Sequence, residues 1–326
     1  MCLFGGGLAR EAAAGHAESG GAAGGLDASA RGALMRRLVV VPPRLTLARD
    51  PKAVGRDTPD QKLRNAVRKW LVSARARLTD AQIERALRTG NAALLTSDPA
   101  WAEEWAKLGD RWDERLRELM QRTGAAEFRA LDLELKFELD NPHAAEYARE
   151  QTATLVERVT TETRAAIREI VGRGYVEGLH PYEQARAIRP MLGLTERDAK
   201  AARNRLQALL DDGQEPARAL KGAERYEEKL LRRRAENIAR TETLSAENAG
   251  QDAAWSTAAD AGLLDQETTW REWIATPGSD RTCDICAPMH GQRRRMGEAF
   301  ESDEGDVVDR PPLHPSCRCA LGLVVE

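Results

Sequence analysis

Two periodicities alternate along the chain. From Thr58 onward most segments place apolar residues three or four positions apart, the spacing of one buried helical face. Thr58-Pro59-Asp60-Gln61 supplies an N-cap, a proline at the first helical position and a Gln able to close a capping box. Thr79-Asp80-Ala81-Gln82 repeats the device, and Gly90 sits where that helix should stop. A third helix is predicted from Ser97-Asp98-Pro99, with Trp101, Trp105, Leu108, Trp112, Leu116 and Leu119 on one stripe. A packed helix–helix core explains tryptophans on such a stripe better than a binding face. The period then falls to two: Leu131, Leu133, Leu135, Phe137 and Leu139 alternate with charged residues, which predicts an amphipathic strand ended by Asn141-Pro142.

Helical spacing returns through Leu155, Val159, Thr163, Ala166, Ile167 and Ile170, with Gly172 and Gly174 expected to close that helix. Gly178-Leu179-His180-Pro181 should open a short helix. Thr195 caps another, whose acidic first turn suits the helix dipole and which should stop at Gly213. A long helix is predicted from Lys221 past Ala253, with Ala235, Ala239, Glu242, Ala246, Ala249 and Ala253 on one stripe. Glu242 is the one charge among these small residues, and a carboxylate on a packed face needs a partner from another element. A structural ion pair or a partly exposed edge is the reading, rather than catalysis. Arg240, two residues away, points elsewhere and does not pair with Glu242 along the helix.

After Gly262 the pattern becomes mixed, with a strand expected around Trp270 and Trp273. The fold class is therefore mostly α, with a small α+β C-terminal module. Residues 1–56, dominated by Gly, Ala and Ser as far as Gly32, read as a disordered tail. Residues 57–125 form a helical region of unassigned role, 126–262 a further helical part, and 263–326 the small module.

Composition narrows the function classes. A chain of 326 residues with 42% hydrophobic residues can bury a real core, and a net charge of -3 provides no global field toward nucleic acid or membrane. No apolar run is long enough to span a bilayer, and Met1-Cys2-Leu3-Phe4 does not open a secretory signal. Of five cysteines, Cys2 stands apart while Cys283, Cys286, Cys317 and Cys319 gather near the C-terminus. C-x-x-C curls two thiolates onto one face of a turn, and a second pair with His314 offers five donors for the four places of a tetrahedral metal site. Four thiolates around a structural zinc (Zn) are favoured, with His314 either substituting for one or standing behind them. Two disulfides would need an oxidising compartment, and a redox C-x-x-C lacks its strand–helix context. A catalytic metal is disfavoured, because four thiolates would fill its coordination sphere.

One set of motifs carries a family likeness. Ile238-Ala239-Arg240-Thr241-Glu242, an Ala/Asn-rich helix, a Trp strand, Asp280-Arg281-Thr282-Cys283 with Cys286, then Leu313-His314-Pro315-Ser316-Cys317-Arg318-Cys319 resemble the phage Mu F-like head-morphogenesis (minor capsid) family over about residues 130–323. The resemblance makes 126–262 the helical part of that domain and marks Arg240, Glu242 and Asp280 as family-motif positions, read as structural. It implies a non-enzymatic minor head protein of a tailed phage or prophage. Such a protein meets portal, capsid and scaffold proteins in the host cytoplasm and ends in the virion head. His180 departs from the pattern, where a small hydroxyl residue is expected.

Two other readings compete. A metal-dependent nuclease could use His314 beside a cysteine-bound metal, but such a site wants a second His or an Asn. Only His290 is near, and no Asn follows Cys283. Contact with packaged DNA could use Lys221 to Arg240, which carries seven basic and four acidic side chains with a run at Arg232 to Arg234. Such a run more often faces solvent or pairs along its own helix.

Overall fold

A computed structural model describes residues 60–97, 99–177, 189–275 and 282–326. These residues form seven α-helices and five short strands: α1 (Gln61–Ala76), α2 (Asp80–Thr89), α3 (Ala93–Thr96), α4 (Pro99–Ala130), α5 (Pro142–Glu177), a 3-10 turn (Arg189–Met191), α6 (Glu196–Asp211), α7 (Pro216–Asp260), β1 (Thr269–Ile274), β2 (Arg293–Arg295), β3 (Phe300–Glu301), β4 (Val307–Val308) and β5 (Ala320–Val325). The expected tail 1–56, the Thr58-Pro59 start, Asp98, the helix opening at Gly178 to Pro181 with His180, and Asp280-Arg281 lie outside the described residues.

The caps follow the chemistry of their residues. Asp60 accepts the Leu63 amide at 2.9 Å ahead of α1. Thr79 and Gln82 form a reciprocal capping box on α2, and Gly90 ends it at φ 63°, where only glycine is unstrained. Thr195 accepts the Asp198 amide at the start of α6, and Gly213 follows its C-terminus at φ 75°.

α7 is the central element. Its small residues let α4 come close: a Cβ on Gly250 would stand 2.8 Å from the Met120 carbonyl oxygen and 2.9 Å from Met120 Cα. Ala235, Ala239, Ala246, Ala249 and Ala253 are buried in one apolar cluster with Leu63, Trp112, Leu116, Leu119 and Leu155. Trp112, Leu116 and Leu119 are fully buried, so this half of the aromatic stripe is core. The side chains of Trp101, Trp105 and Leu108 lie outside the described set.

Three expectations are corrected. Residues 131–139 form no strand. Phe137 is buried and Leu133 and Leu135 pack partly on the helical core, while the intervening charges face water. The alternation is real, but it lines the chain along helices rather than along a neighbouring strand, and without a ladder it is not a β-strand. Phe137 fills the space over Gly124, its ring 5.9 Å from that of Phe128. Second, α5 runs through Gly172 and Gly174 to Glu177. A mid-helix glycine costs only about 1 kcal/mol against alanine, less than the burial of Ile167, Ile170 and Val171 in the preceding turn contributes. Third, α7 starts at Pro216, not Lys221. Its cap is Glu215, which accepts the Ala217 and Arg218 amides, a residue type that does not announce a helix start in sequence.

β1 is the middle of a three-stranded antiparallel sheet in the order β2-β1-β5, and β3 pairs with β4 as a separate hairpin. A second apolar cluster fills this module: Trp255 of α7 packs with Trp273, Phe300, Leu321, Leu323 and three of the cysteines.

Candidate metal centre

The C-terminal donors are carried by two loops held against β1 and α7. In the first, Cys283 starts a tight turn whose carbonyl accepts the Cys286 and Ala287 amides at 3.1 and 3.0 Å. The turn is tied to β1 where the Gly291 amide donates to Trp273 O and the Trp273 amide to Gln292 O. In the second, Ser316 adopts φ 65°, and the chain reverses so that the Cys317 amide donates to His314 O.

α7 clamps that second loop. Arg240 Nη2 donates to Ser316 O at 3.1 Å, and the Ser316 amide donates to Thr241 Oγ1 at 3.0 Å. Two turns further on, buried Asn248 accepts the Leu321 amide at 3.0 Å and donates to Leu244 O and Cys319 O. Glu242 faces the other way. It is fully buried and receives Arg158 Nη2 and Gln151 Nε2 of α5, both at 2.9 Å. Burial pushes its carboxyl above the usual range, against the pull of Gln151 and Arg158. Arg240 and Glu242 therefore join α7 to different neighbours.

The two loops bring all five predicted donors together. His314 Nε2 lies 3.1 Å from both Cys283 Sγ and Cys286 Sγ, and Cys286 Sγ lies 3.8 Å from Cys317 Sγ. Cys283, Cys286 and His314 form one trio within 4.8 Å of one another, and Cys286, Cys317 and Cys319 a second; Cys286 is shared. Zinc–sulfur bonds of about 2.3 Å give a tetrahedral edge of about 3.8 Å, the observed Cys286–Cys317 separation. All four cysteines are free thiols; Cys283 is exposed and the other three are buried.

Hydrogen bonding sorts the donors. Burial opposes ionisation of Cys283, but the Cys286 amide and thiol together with His314 hold it below the ordinary thiol range. Cys317 is held far below it by the Cys286 and Cys319 thiols and by backbone amides. Crowding against those neighbours pushes Cys286 up. His314 Nδ1 lies 2.9 Å from Pro315 O. A ring N–H donated to a carbonyl fixes the tautomer and leaves the Nε2 lone pair facing the thiols, the arrangement of a histidine that ligates a metal. Burial acts against protonation of His314, while the Pro315 carbonyl and nearby thiolates raise its pKa overall. These Cys/His groups could hold a metal ion.

Residues 165–322 match the family model described as Phage Mu protein F like protein. That segment belongs to the Phage Mu F-like family. No curated protein and no solved structure matches the chain. The Mu F-like segment is just under half of the chain; it begins inside α5 and takes in α6, α7, all five donors and the sheet as far as Gly322. Of the motif positions, Arg240 meets the metal loop, Glu242 meets α5, and Asp280 lies outside the described residues.

Sequence reasoning named Thr241 only within the Ile238 to Glu242 string, without a role, and did not single out Asn248 or the buried Asp252–Arg271 pair. Asn248 stands seven residues after Thr241, two turns along the same helix face, so a polar residue repeating at that spacing was the available signal. Of the basic run at Arg232 to Arg234, only Arg234 departs from the solvent-facing expectation. Arg234 is buried and donates to Glu162 Oε2, Gly193 O and Thr163 Oγ1, Arg233 pairs with Asp198, and Arg232 is exposed. The three do not form one basic face, because successive helix positions point about 100° apart. Among the described residues no helix is long and apolar enough to cross a membrane.

Proposed function

We propose that this chain is a minor head protein of a tailed phage or prophage, acting in procapsid assembly near the portal without catalysis of its own. Its Cys/His cluster holds a structural zinc ion. The membership of residues 165–322 in the Phage Mu F-like family carries this reading. The setting of the donors supports a structural metal: three cysteines are buried, and the loop around them is clamped to α7 through Arg240, Thr241 and Asn248. Cys283, Cys286, His314 and Cys317 are the proposed ligands. This set exchanges Cys319 of the four thiolates favoured from sequence for His314, whose Nε2 lies 3.1 Å from two thiols, while the Cys319 amide, 3.4 Å from Cys317 Sγ, supports that thiolate. Zinc supplies a cross-link that holds the ends of a long charged loop, contributing folding energy that the small sheet lacks.

A nuclease reading needs a second metal-binding His or Asn facing an open position. His290 Nδ1 instead accepts the Ala275 amide, and Asn248 spends both side-chain atoms on backbone groups. Deletion of the gene from an inducible host tests the assembly role. DNA-filled heads should be lost and should return with the wild-type gene. Normal numbers of filled heads from the deletion strain would overturn it.

A further inference from the structure

Beside the loop that carries His314, an open cleft of about 450 Å³ lies between α5, the start of α6, α7 and Pro315. Four arginines line it: Arg158, Arg197, Arg233 and Arg234. The carboxylates nearby are already engaged. Asp198 takes Arg233 at 2.9 Å, Glu162 takes Arg234 at 2.8 Å, and Glu242 takes Arg158 at 2.9 Å. That leaves the exposed Arg197 with no acceptor among the described residues. Each guanidinium has five N–H donors, and Arg158 and Arg233 each spend one on a carboxylate. Exposed Asn237 adds its amide at the same wall. Donors therefore outnumber acceptors, which suits a group that only accepts, such as a carboxylate.

The same chain presents such groups in a pre-shaped turn. At the end of β3 and in the turn to β4, Glu301, Asp303, Glu304 and Asp306 are all exposed, and none forms an ion pair among the described residues. Ser302 fixes the turn: its amide donates to Asp306 O, its carbonyl accepts the Gly305 amide, and its hydroxyl accepts the Asp306 amide. A turn already held in shape loses little conformational freedom on docking. Val307 beside it is 65% exposed and offers an apolar contact. None of these hairpin residues lines the cleft of its own chain.

We infer that the acidic β3–β4 turn of one copy docks in the arginine cleft of a second copy, a head-to-tail contact between two different surfaces. A short concave cleft admits a tight turn more readily than the continuous phosphates of a duplex. The inference stands on this complementarity and is independent of the head-protein reading, since it is measured on purified chain alone.

Sedimentation velocity on the full chain tests it. Wild type should associate with rising concentration, and less so as salt shortens the screening length. Arg197→Glu and Glu304→Arg, both at exposed positions, should each weaken association on the order of tenfold while leaving the melting temperature unchanged. An equimolar mixture of the two variants should associate again, because each supplies the charge the other lacks. Wild type that stays monomeric at low salt, or a mixture that fails to associate, would overturn the proposal. So would monomeric protein whose binding to a labelled DNA duplex is lost in Arg197→Glu, which would make the cleft a phosphate site.

Discussion

The most informative single substitution is Asp252→Ala, because one buried carboxylate joins the long helix to the C-terminal sheet. Asp252 is 7% exposed and accepts Arg271 Nη1 at 3.1 and 3.2 Å and Arg310 Nε at 3.0 Å. The Arg271 side chain is 2% exposed. Removing one member of a buried pair leaves an uncompensated charge and costs about 3–5 kcal/mol. Arg271 would keep the carbonyls of Arg295, Asp309 and Glu298, so the lower end, about 3 kcal/mol, is expected. Arg310, at 22% side-chain exposure, adds little. Urea unfolding followed by tryptophan fluorescence reads this directly, since Trp255 and Trp273 are fully buried on the two sides of the junction. In a thermal melt the same change lowers Tm by about 6–12 °C at roughly 2–4 °C per kcal/mol. The companion Arg271→Met with Asp252→Ala should lose much less than the sum of the singles, since it leaves no buried charge. A loss below about 1 kcal/mol for Asp252→Ala, or strict additivity in the cycle, would refute the assignment.

Three further outcomes are expected. Burial raises the pKa of Glu242 above its unfolded value, so ionising it opposes folding; that cost is absent below about pH 4.5, grows as pH rises through the raised folded pKa, and persists above it. Glu242→Gln should therefore flatten the melting temperature across that window, whereas a wild type that gains stability relative to the variant as pH rises through it would contradict the burial argument. Gly250→Ala pushes a methyl group into the Met120 backbone and should cost about 1–3 kcal/mol in urea unfolding, and a neutral result would mean that α4 and α7 are further apart than described. For the metal, purified chain should carry about one zinc by elemental analysis. Cys319→Ser should keep it, and His314→Ala and the pair Cys283→Ser with Cys286→Ser should lose it. Full zinc in the double cysteine variant would exclude the assignment.

How much of this was legible in the sequence depended on whether the signal was local. Caps at Thr79, Gly90, Thr195 and Gly213 act through their own backbone, so they could be read directly. The C-x-x-C spacing and the later Cys/His string were equally visible, because ligand spacing is a local constraint. The extended run at Leu131 to Leu139 misled because period two reports one-sided burial, and only tertiary structure decides whether a neighbouring strand exists. Arg234 looked like part of a solvated basic run, yet its acceptors are Glu162 and the Gly193 carbonyl, far away in sequence. Likewise Asp252 and Arg271 sit in different elements, and nothing in either segment alone announces a buried pair.

The role proposed for this chain, whose residues 165–322 belong to the Phage Mu F-like family, is inside phage heads. Quantitative mass spectrometry of gradient-purified particles, after induction of the host that carries the gene, checks this role. The chain should be found in particles at low copy number relative to the major capsid protein. Its complete absence from both procapsids and mature particles, while abundant in the same lysate, would contradict it.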